Sequence, residues 1–134
     1  IYHQNYQPSV EFPDPYTIAC VNGVAAENDE EAKKLSTTLY QAFVNLIRND
    51  RKPYAPPVDD MDEVWNSMEK AHVQNMLKYS FVGSQESVKN QFKEFQRRFQ
   101  VNEIMITSAI YDPEARINSY AIFRTVVDEL NAAV

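Results

Sequence analysis

Two short corners of the sequence carry residue types that could hold a ligand. The first is Gly83-Ser84, which directly follows the apolar pair Phe81-Val82 and precedes an amphipathic run. At the start of a helix such a corner offers free backbone N–H groups, and the helix dipole favours an anion there. We therefore expect Gly83 and Ser84 to be able to hold the phosphate of a cofactor, although an ordinary serine N-cap accounts for the same two residues.

The second corner begins at Ser108, at the end of another apolar run. Ser108 and Tyr111 can each offer a hydroxyl group, so we expect both to contact a substrate. Asp112 is better explained as the N-cap of the following helix, because Pro113 then occupies the first helical position.

Other signatures of catalysis are missing from the sequence. It contains no nucleophile triad pattern, phosphate-binding loop, paired-cysteine motif or dinucleotide-type glycine triplet. The only glycines are Gly23 and Gly83, which excludes most loop-built nucleotide sites. No acidic residue on the predicted helix of His72 clearly pairs with it as a metal site. We therefore predict no metal site, and the residues alone identify no catalytic group.

Length and charge limit the class of protein. The 134 residues suit one domain, and a hydrophobic content of 44% allows a packed core. The net charge is -6 and no long basic run occurs, which argues against nucleic acid and anionic membrane surfaces as partners. No apolar run approaches the roughly 20 residues of a membrane span.

A single cysteine, Cys20, excludes a disulfide within the chain and favours a reducing, cytoplasmic setting. Cys20 lies in a short apolar run rich in β-forming residues. We predict a strand there that is buried on both faces, with Cys20 as a buried structural thiol.

The hydrophobic periodicity predicts the order strand, helix, helix, strand, helix, strand, helix. The predicted elements are a strand in residues 16–26, helices in 28–49 and 59–79, a strand at 81–82, a helix capped by Ser84, a strand in 101–108 and a helix capped by Asp112. The second helix is expected to bury one side lined by Met61, Val64, Trp65, Met68, His72, Met76 and Tyr79. This alternation is typical of a parallel β/α protein, in which ligands bind at the carboxyl ends of the strands.

Several patterns in the right order resemble the later part of the luciferase-like flavin-dependent monooxygenases, the bacterial luciferase family. The matching runs are Pro8-Ser9, Pro15-Tyr16 and residues 25–32, 56–61, 81–88, 103–108, 110–112, 114–116 and 119–120. The resemblance implies an α/β fold, a partial (β/α)8 TIM barrel. Residues 1–134 would be its C-terminal portion: the last three parallel strands with flanking helices and a helical insertion.

The resemblance also implies a reaction, in which reduced FMN, or a deazaflavin, and O2 oxidise a small organic substrate. A flavin reductase would be a further partner. The family's main flavin and catalytic residues lie mostly on earlier strands, so no catalytic residue is transferred. Ala109 and Pro113 stand where many close relatives have histidines, and this departure would alter substrate specificity.

Three strands of a barrel leave two unpaired edges and an apolar inner face. We therefore expect the chain to pair with the remainder of a barrel or to form a homo-oligomer, and to be inactive alone. The alternative is a non-catalytic, oligomerising module of the same family that binds flavin or another small ligand.

Overall fold

The computed structural model describes residues 1–133. Its elements are α1 (Tyr2–Asn5), β1 (Ile18–Ala25), α2 (Asp29–Ile47), a 3-10 turn (Met61–Glu63), α3 (Ser67–Met76), β2 (Phe81–Gly83), α4 (Gln85–Arg98), β3 (Glu103–Thr107) and α5 (Pro113–Ala132). The parallel α/β class predicted from the sequence is confirmed, with the 3-10 turn and α3 as the helical insertion.

The three strands form one parallel sheet in the order β2-β1-β3. The central strand, β1, pairs with β3 along residues 18–22 and with β2 only along residues 23–25. The insertion therefore returns the chain to one edge of β1, and α4 leads it across to the other edge.

Three helices begin where the sequence predicts, because each has a side-chain cap. Asn28 caps α2, Ser84 caps α4 and Asp112 caps α5. In each case the side-chain oxygen accepts a hydrogen bond from a backbone N–H of the first turn, which satisfies a group that would otherwise lack a partner. The helix starts place both candidate corners directly after strands.

The main core lies between one face of the sheet and the helices α4 and α5. Its buried members are Val21, Ala25, Phe81, Val88, Phe92, Phe123 and Val126. Burying one large apolar side chain stabilises the fold by about 1.5–3 kcal/mol. The packing is closest at Gly23, where an added Cβ would lie 2.6 Å from the ring of Phe123 and 2.7 Å from Ile106. Only glycine fits at this position without a shift of the helix.

A second core lies between the insertion and α2, and its buried members are Leu39, Val44, Met61, Val73, Leu77 and Ala109. The proline-rich loop of residues 51–58 is held against α2 by hydrogen bonds. The Thr38 hydroxyl donates to the carbonyl of Ala55 at 2.8 Å, and the Gln41 amide donates to the carbonyl of Pro56 at 2.9 Å. The insertion and the loop before it are thus ordered by their packing against α2.

The prediction of one continuous helix over residues 59–79 is wrong. Asn66 accepts hydrogen bonds from the N–H groups of Met68 and Glu69, and the Glu69 carboxylate accepts one from the Asn66 N–H. This capping box starts a new helix at Ser67 and changes its rotation. Met68, predicted to be buried, is consequently 82% exposed.

The members of the predicted stripe that follow Met68 are also turned outward, whereas Met61 is buried as predicted. His72, Met76 and Tyr79 are exposed, whereas Val73 and Leu77 are buried in their place.

The strands are not buried on both faces, which corrects a second prediction. Ile18 and Met105 are 55% and 58% exposed, and Cys20 is exposed as well rather than being a buried thiol. The reason is that α4 and α5 cover only the face to which Val21 and Ile106 point. The opposite face of β1 and β3, called the inner face below, carries the side chains of Ile18, Cys20, Asn22, Glu103, Met105 and Thr107.

Candidate functional site

The two predicted corners lie on either side of the carboxyl end of β1. Gly83 is the register partner of Ala25 on one edge. On the other edge, the Ser108 hydroxyl donates a hydrogen bond of 2.6 Å to the carbonyl of Gly23. The topology therefore brings both corners to one end of the sheet, as expected for parallel strands.

At the first corner, the N-terminus of α4 already holds an anion that belongs to the chain. The Ser84 N–H donates to Oδ1 of Asp29 at 2.7 Å, and the Ser87 hydroxyl donates to Oδ2 at 3.0 Å. These bonds, above all the one from the Ser84 N–H, lower the pKa of the Asp29 carboxyl. Gly83 has a φ of +152°, and an added Cβ would lie 2.8 Å from Asp29 Oδ1, so glycine lets the carboxylate approach.

A phosphate does not fit this corner as the chain is folded. Its negative charge would face the Asp29 carboxylate, and the Ser84 N–H that it needs is already bonded. Binding of a cofactor by Gly83 and Ser84 stays a prediction, and the geometry gives both residues a role in joining α2 to α4.

At the second corner, Ser108 is engaged inside the protein. It is only 5% exposed, and its N–H donates to the Tyr120 hydroxyl at 3.0 Å. Its own hydroxyl is bonded to Gly23 and lies 3.4 Å from the hydroxyl of Ser119, which accepts from the Ala25 N–H. This buried network ties β1, β3 and α5 together. A contact between Ser108 and a substrate stays a prediction.

Tyr111 is the member of the predicted set whose side chain is open to solvent, at 50% exposure. The two positions that depart from the resemblance are nearby but differ in environment. Ala109 is buried in the core of the insertion, while Pro113 occupies the first turn of α5. A histidine at position 109 would have to fit a larger, polar side chain into the space of a buried alanine.

The inner face contains residues that the sequence reasoning missed. At its carboxyl end Asn22 and Thr107 are register partners, with Asn22 half-buried and Thr107 exposed. The signal that could have found Thr107 is strand alternation: Ser108 and Ile106 face the helices, so the residue between them faces the other way.

The inner face carries little charge. Neither β1 nor β3 contains a lysine, arginine or histidine, and the only charged residue of the two strands is Glu103 at the amino end. The Tyr16 hydroxyl donates a hydrogen bond to the Glu103 carboxylate, which raises the pKa of Tyr16. The face is therefore apolar along most of its length, with neutral polar groups at the carboxyl end.

A groove of about 1220 Å³ lies elsewhere, between the insertion, α2 and α4. Aromatic side chains line it, among them Tyr40, Trp65, Tyr79, Phe95 and Phe99. None of the four residues predicted to bind a ligand lines this groove. Because ligands of β/α proteins bind at the carboxyl ends of strands, we place the candidate site on the inner face instead.

The described residues contain no metal-binding cluster: no three His, Cys, Asp or Glu side chains within 1–133 are arranged to hold an ion. None of the described helices is both long enough and apolar enough to cross a membrane.

No protein-family model matches the chain. Among curated proteins, it is 34% identical over 130 residues to the luciferase-like monooxygenase of Escherichia coli strain K12, which covers 97% of this chain and 39% of that protein. It is 35% identical over 126 residues to the uncharacterized protein YvbT of Bacillus subtilis strain 168, covering 94% of this chain and 38% of that protein.

Among solved structures, the crystal structure of apo-MsnO8 matches with a TM-score of 0.71 at 20% identity. The match covers 95% of this chain and 39% of that one. The neighbour has the TIM-barrel fold of luciferase-like proteins. The chain thus spans about two fifths of the length of the relatives that it matches. By sequence, the chain is thus similar to part of a curated luciferase-like monooxygenase, and by fold it matches part of apo-MsnO8.

Proposed function

We propose that this chain contributes one wall of the substrate pocket in a flavin-dependent, luciferase-like monooxygenase. The observation that supports this best is the open inner face of β1 and β3. In a barrel that face lines the interior, and its carboxyl end is the side on which barrel enzymes bind substrates. The similarity to a curated luciferase-like monooxygenase supports an oxidation as the reaction.

Reduced FMN, or a deazaflavin, would supply the electrons that activate O2, and a flavin reductase would renew it. The residues of this chain do not suit the flavin phosphate, because Asp29 occupies the Ser84 corner. The remainder of a complete barrel would therefore hold the flavin. In this proposal Ile18, Cys20 and Met105 contact the apolar part of the substrate and exclude water, while Tyr111 offers its hydroxyl at the rim.

The test is a chimera in which this chain replaces the 130-residue segment that it matches in the Escherichia coli relative. We expect the chimera to convert an organic substrate to an oxygenated product with reduced FMN and O2. Product should be followed by mass spectrometry, because reduced flavin also consumes O2 without an enzyme. The unaltered relative is the positive control, and circular dichroism shows whether the chimera folds.

Two results would count against the proposal. One is a folded chimera that binds FMN but oxidises none of the substrates that the unaltered relative oxidises. The other is product formation by the 134-residue chain alone, since one wall of a pocket should be inactive.

A second candidate is a non-catalytic module that covers its inner face by forming a homo-oligomer and binds flavin or another small ligand. The large exposed side chains of Ile18 and Met105 favour it. Sizing chromatography during a flavin titration distinguishes the two functions. An oligomer that binds flavin without forming product supports the module, and a monomer without flavin affinity excludes it.

A further inference from the structure

We propose that the groove between the insertion, α2 and α4 is a second ligand site, which binds an aromatic anion. The anion binds at the end of the groove that is formed by Tyr79, Phe95 and Phe99, called the aromatic end below. This site is independent of the proposed function, because no residue of the inner face lines the groove.

Three aromatic rings form the apolar surface of the aromatic end. The ring centroids of Tyr79 and Phe99 lie 5.2 Å apart, and those of Phe95 and Phe99 lie 4.8 Å apart. Tyr79 is 37% exposed, whereas Phe95 and Phe99 are half-buried, so part of each ring is open to the groove. A flat aromatic ligand can therefore pack on these rings.

The rings are fixed from behind by the main core. Phe81 is only 3% exposed and packs edge-on against Phe95, with their ring centroids 5.5 Å apart. The aromatic end is therefore formed before a ligand arrives, and binding does not have to order it. The groove of about 1220 Å³ also has room for a molecule of two fused rings, since ligand pockets typically measure roughly 300–1,000 Å³.

Two cations lie against the same rings. Nζ of Lys78 is 4.9 Å from the ring centroid of Tyr79. Cζ of Arg98 is 5.7 Å from the same centroid and 5.3 Å from that of Phe99. Both distances are shorter than the roughly 8 Å over which physiological salt screens a charge. An anion that packs on Tyr79 is therefore attracted by both cations.

Nearby negative charge leaves most of this positive charge in place. Glu94 also lines the groove, but Nη2 of Arg97 donates hydrogen bonds to its two carboxylate oxygens at 2.9 and 2.8 Å. The negative end of the α4 dipole amounts to about half a unit charge, which offsets only part of two cations. The ion pairs among residues 1–133 use other cations, which are Lys34, Arg48, Lys52, Lys70, Lys89, Arg97 and Arg124. Lys78 and Arg98 are thus available to a ligand.

Charge and shape together select the ligand class. A cationic ligand would be repelled by Lys78 and Arg98, and an uncharged aromatic ligand would gain nothing from them. A small inorganic anion would leave the rings uncovered. An aromatic carboxylate or sulfonate uses both features, because its rings pack on Tyr79 and Phe99 while its charge lies near the two cations.

The test is a titration of the isotope-labelled chain with naphthalene-2-sulfonate, followed by amide NMR spectra. Naphthalene-2-sulfonamide is the matched uncharged probe, because it has the same rings and the same sulfur substituent. We expect the sulfonate to shift the backbone signals of Tyr79, Phe95 and Phe99 in a saturable way. The sulfonamide should bind about tenfold more weakly, since it lacks attraction to two exposed charges.

Substitutions separate the contributions of charge and ring. Lys78→Gln and Arg98→Gln should each raise the sulfonate dissociation constant about threefold, and the double variant should bind the sulfonate no better than the sulfonamide. Lys93→Gln is the matched control, because Lys93 is exposed on α4 but does not line the groove. It should leave sulfonate binding unchanged. Tyr79→Leu should weaken the binding of both probes, and circular dichroism shows whether this variant folds.

The proposal is overturned if the sulfonate does not bind or if the two probes bind equally well. It is also overturned if the shifts fall on Cys20 and Met105, which would place the ligand on the inner face, or if the double variant binds the sulfonate as the unaltered chain does. The charge variants decide the matter even where Tyr79→Leu does not fold. None of these results alters the outcome expected of the chimera, so either proposal can fail without the other.

Discussion

Among single residues, Asp29 connects two helices at the first predicted corner. It is the first residue of α2, yet its carboxylate accepts hydrogen bonds from the N–H of Ser84 and the hydroxyl of Ser87 at the start of α4. It thereby complements the positive end of a second helix. One side chain thus joins two helix N-termini and occupies the position expected for a phosphate.

Replacing Asp29 should change how stability depends on pH. The folded state lowers the pKa of this carboxyl, so its stabilising effect is present above the ordinary aspartate pKa of about 3.9 and is lost as pH falls through the lower folded value. Asp29→Asn should lower the urea midpoint at neutral pH. On acidification to about pH 3, the urea midpoint of Asp29→Asn should then fall less than that of the unaltered chain.

Glu30→Gln is the matched control, because Glu30 is an exposed neighbour in the same first turn of α2. If both variants lose the same amount between neutral and acidic pH, the bonds from Ser84 and Ser87 contribute nothing to stability. Ion pairs also lower the pKa values of Asp59, Asp62 and Glu69. Because both variants keep these three carboxyl groups, the difference between Asp29→Asn and Glu30→Gln reports on Asp29.

The role of a residue that bonds to its neighbours in sequence could be predicted. The role of a residue whose partner lies far away in sequence could not. Asn28, Ser84 and Asp112 were identifiable as caps because a cap bonds to its own first turn. Asp29 and Ser84 are 55 positions apart, and no local pattern reveals that the fold brings them together. Likewise the sequence does not reveal that Thr107 is exposed and Ser108 buried, because the side of the sheet that the helices cover is a tertiary property.

Among the elements, β2 is a short strand whose outer edge is closed by a side chain. The Val82 N–H donates to Oε1 of Gln91 at 3.0 Å, and the Gln91 amide donates to the Val82 carbonyl at 2.8 Å. The side chain reproduces the two hydrogen bonds that a neighbouring strand would make. Another strand therefore cannot be added beside β2 without displacing Gln91.

Gln91→Ala should open that edge. Two partly buried hydrogen bonds are lost, so we expect the free energy of unfolding to fall by about 1–2 kcal/mol. The exposed backbone of Val82 should also promote association of chains. Urea unfolding and light scattering measure the two effects.

Gln96→Ala is the control for this substitution, since Gln96 is exposed on the same helix. An unchanged unfolding free energy in Gln91→Ala would show that water replaces the amide without cost, and the edge would then not depend on Gln91.

The division of the insertion into a 3-10 turn and α3 was hidden by competing signals. Asn66 and Glu69 do have the spacing of a capping box, but apolar residues recur at helical intervals on both sides of them. Periodicity alone predicted one helix. The cap determines where α3 begins, and the packing of Val73 and Leu77 then determines which side of it is buried.

At the scale of the whole molecule, the sheet is open in two places. Backbone groups alternate sides along a strand, and β2 pairs with β1 only from Gly23 onwards. The backbone N–H and C=O groups that Ile18 and Cys20 direct toward the β2 edge of β1 therefore lack a strand partner among residues 1–133. The outer edge of β3 is open as well.

If isolated chains cover their inner faces by packing against one another, they should associate in solution. Met105→Lys places a charge at the centre of this face, so we expect its average mass at high concentration to be lower than that of the unaltered chain. Sedimentation velocity over a concentration series provides the measurement.

Met68→Lys is the matched control, because Met68 is even more exposed but lies on α3. Equal masses for the unaltered chain and Met105→Lys, at every concentration, would mean that chains do not meet through the inner face.

The class of fold could be predicted because strands and helices alternate with different hydrophobic periods. The strand order could not, since the three-residue β2 carries too little sequence to specify its neighbour. Three short apolar segments also look alike whether one or both faces are covered. The exposure of Cys20 and Met105 therefore emerges only when the helices are placed.

The separation of the protein into two cores has a consequence for its fluctuations. The cluster around Leu39 and Val73 shares no member with the cluster around Phe92 and Phe123, so loss of one does not directly remove contacts from the other. The insertion can therefore open as a cooperative unit while the sheet stays folded. Amides of α3 should then exchange with solvent at lower free energies than those of β1, without global unfolding.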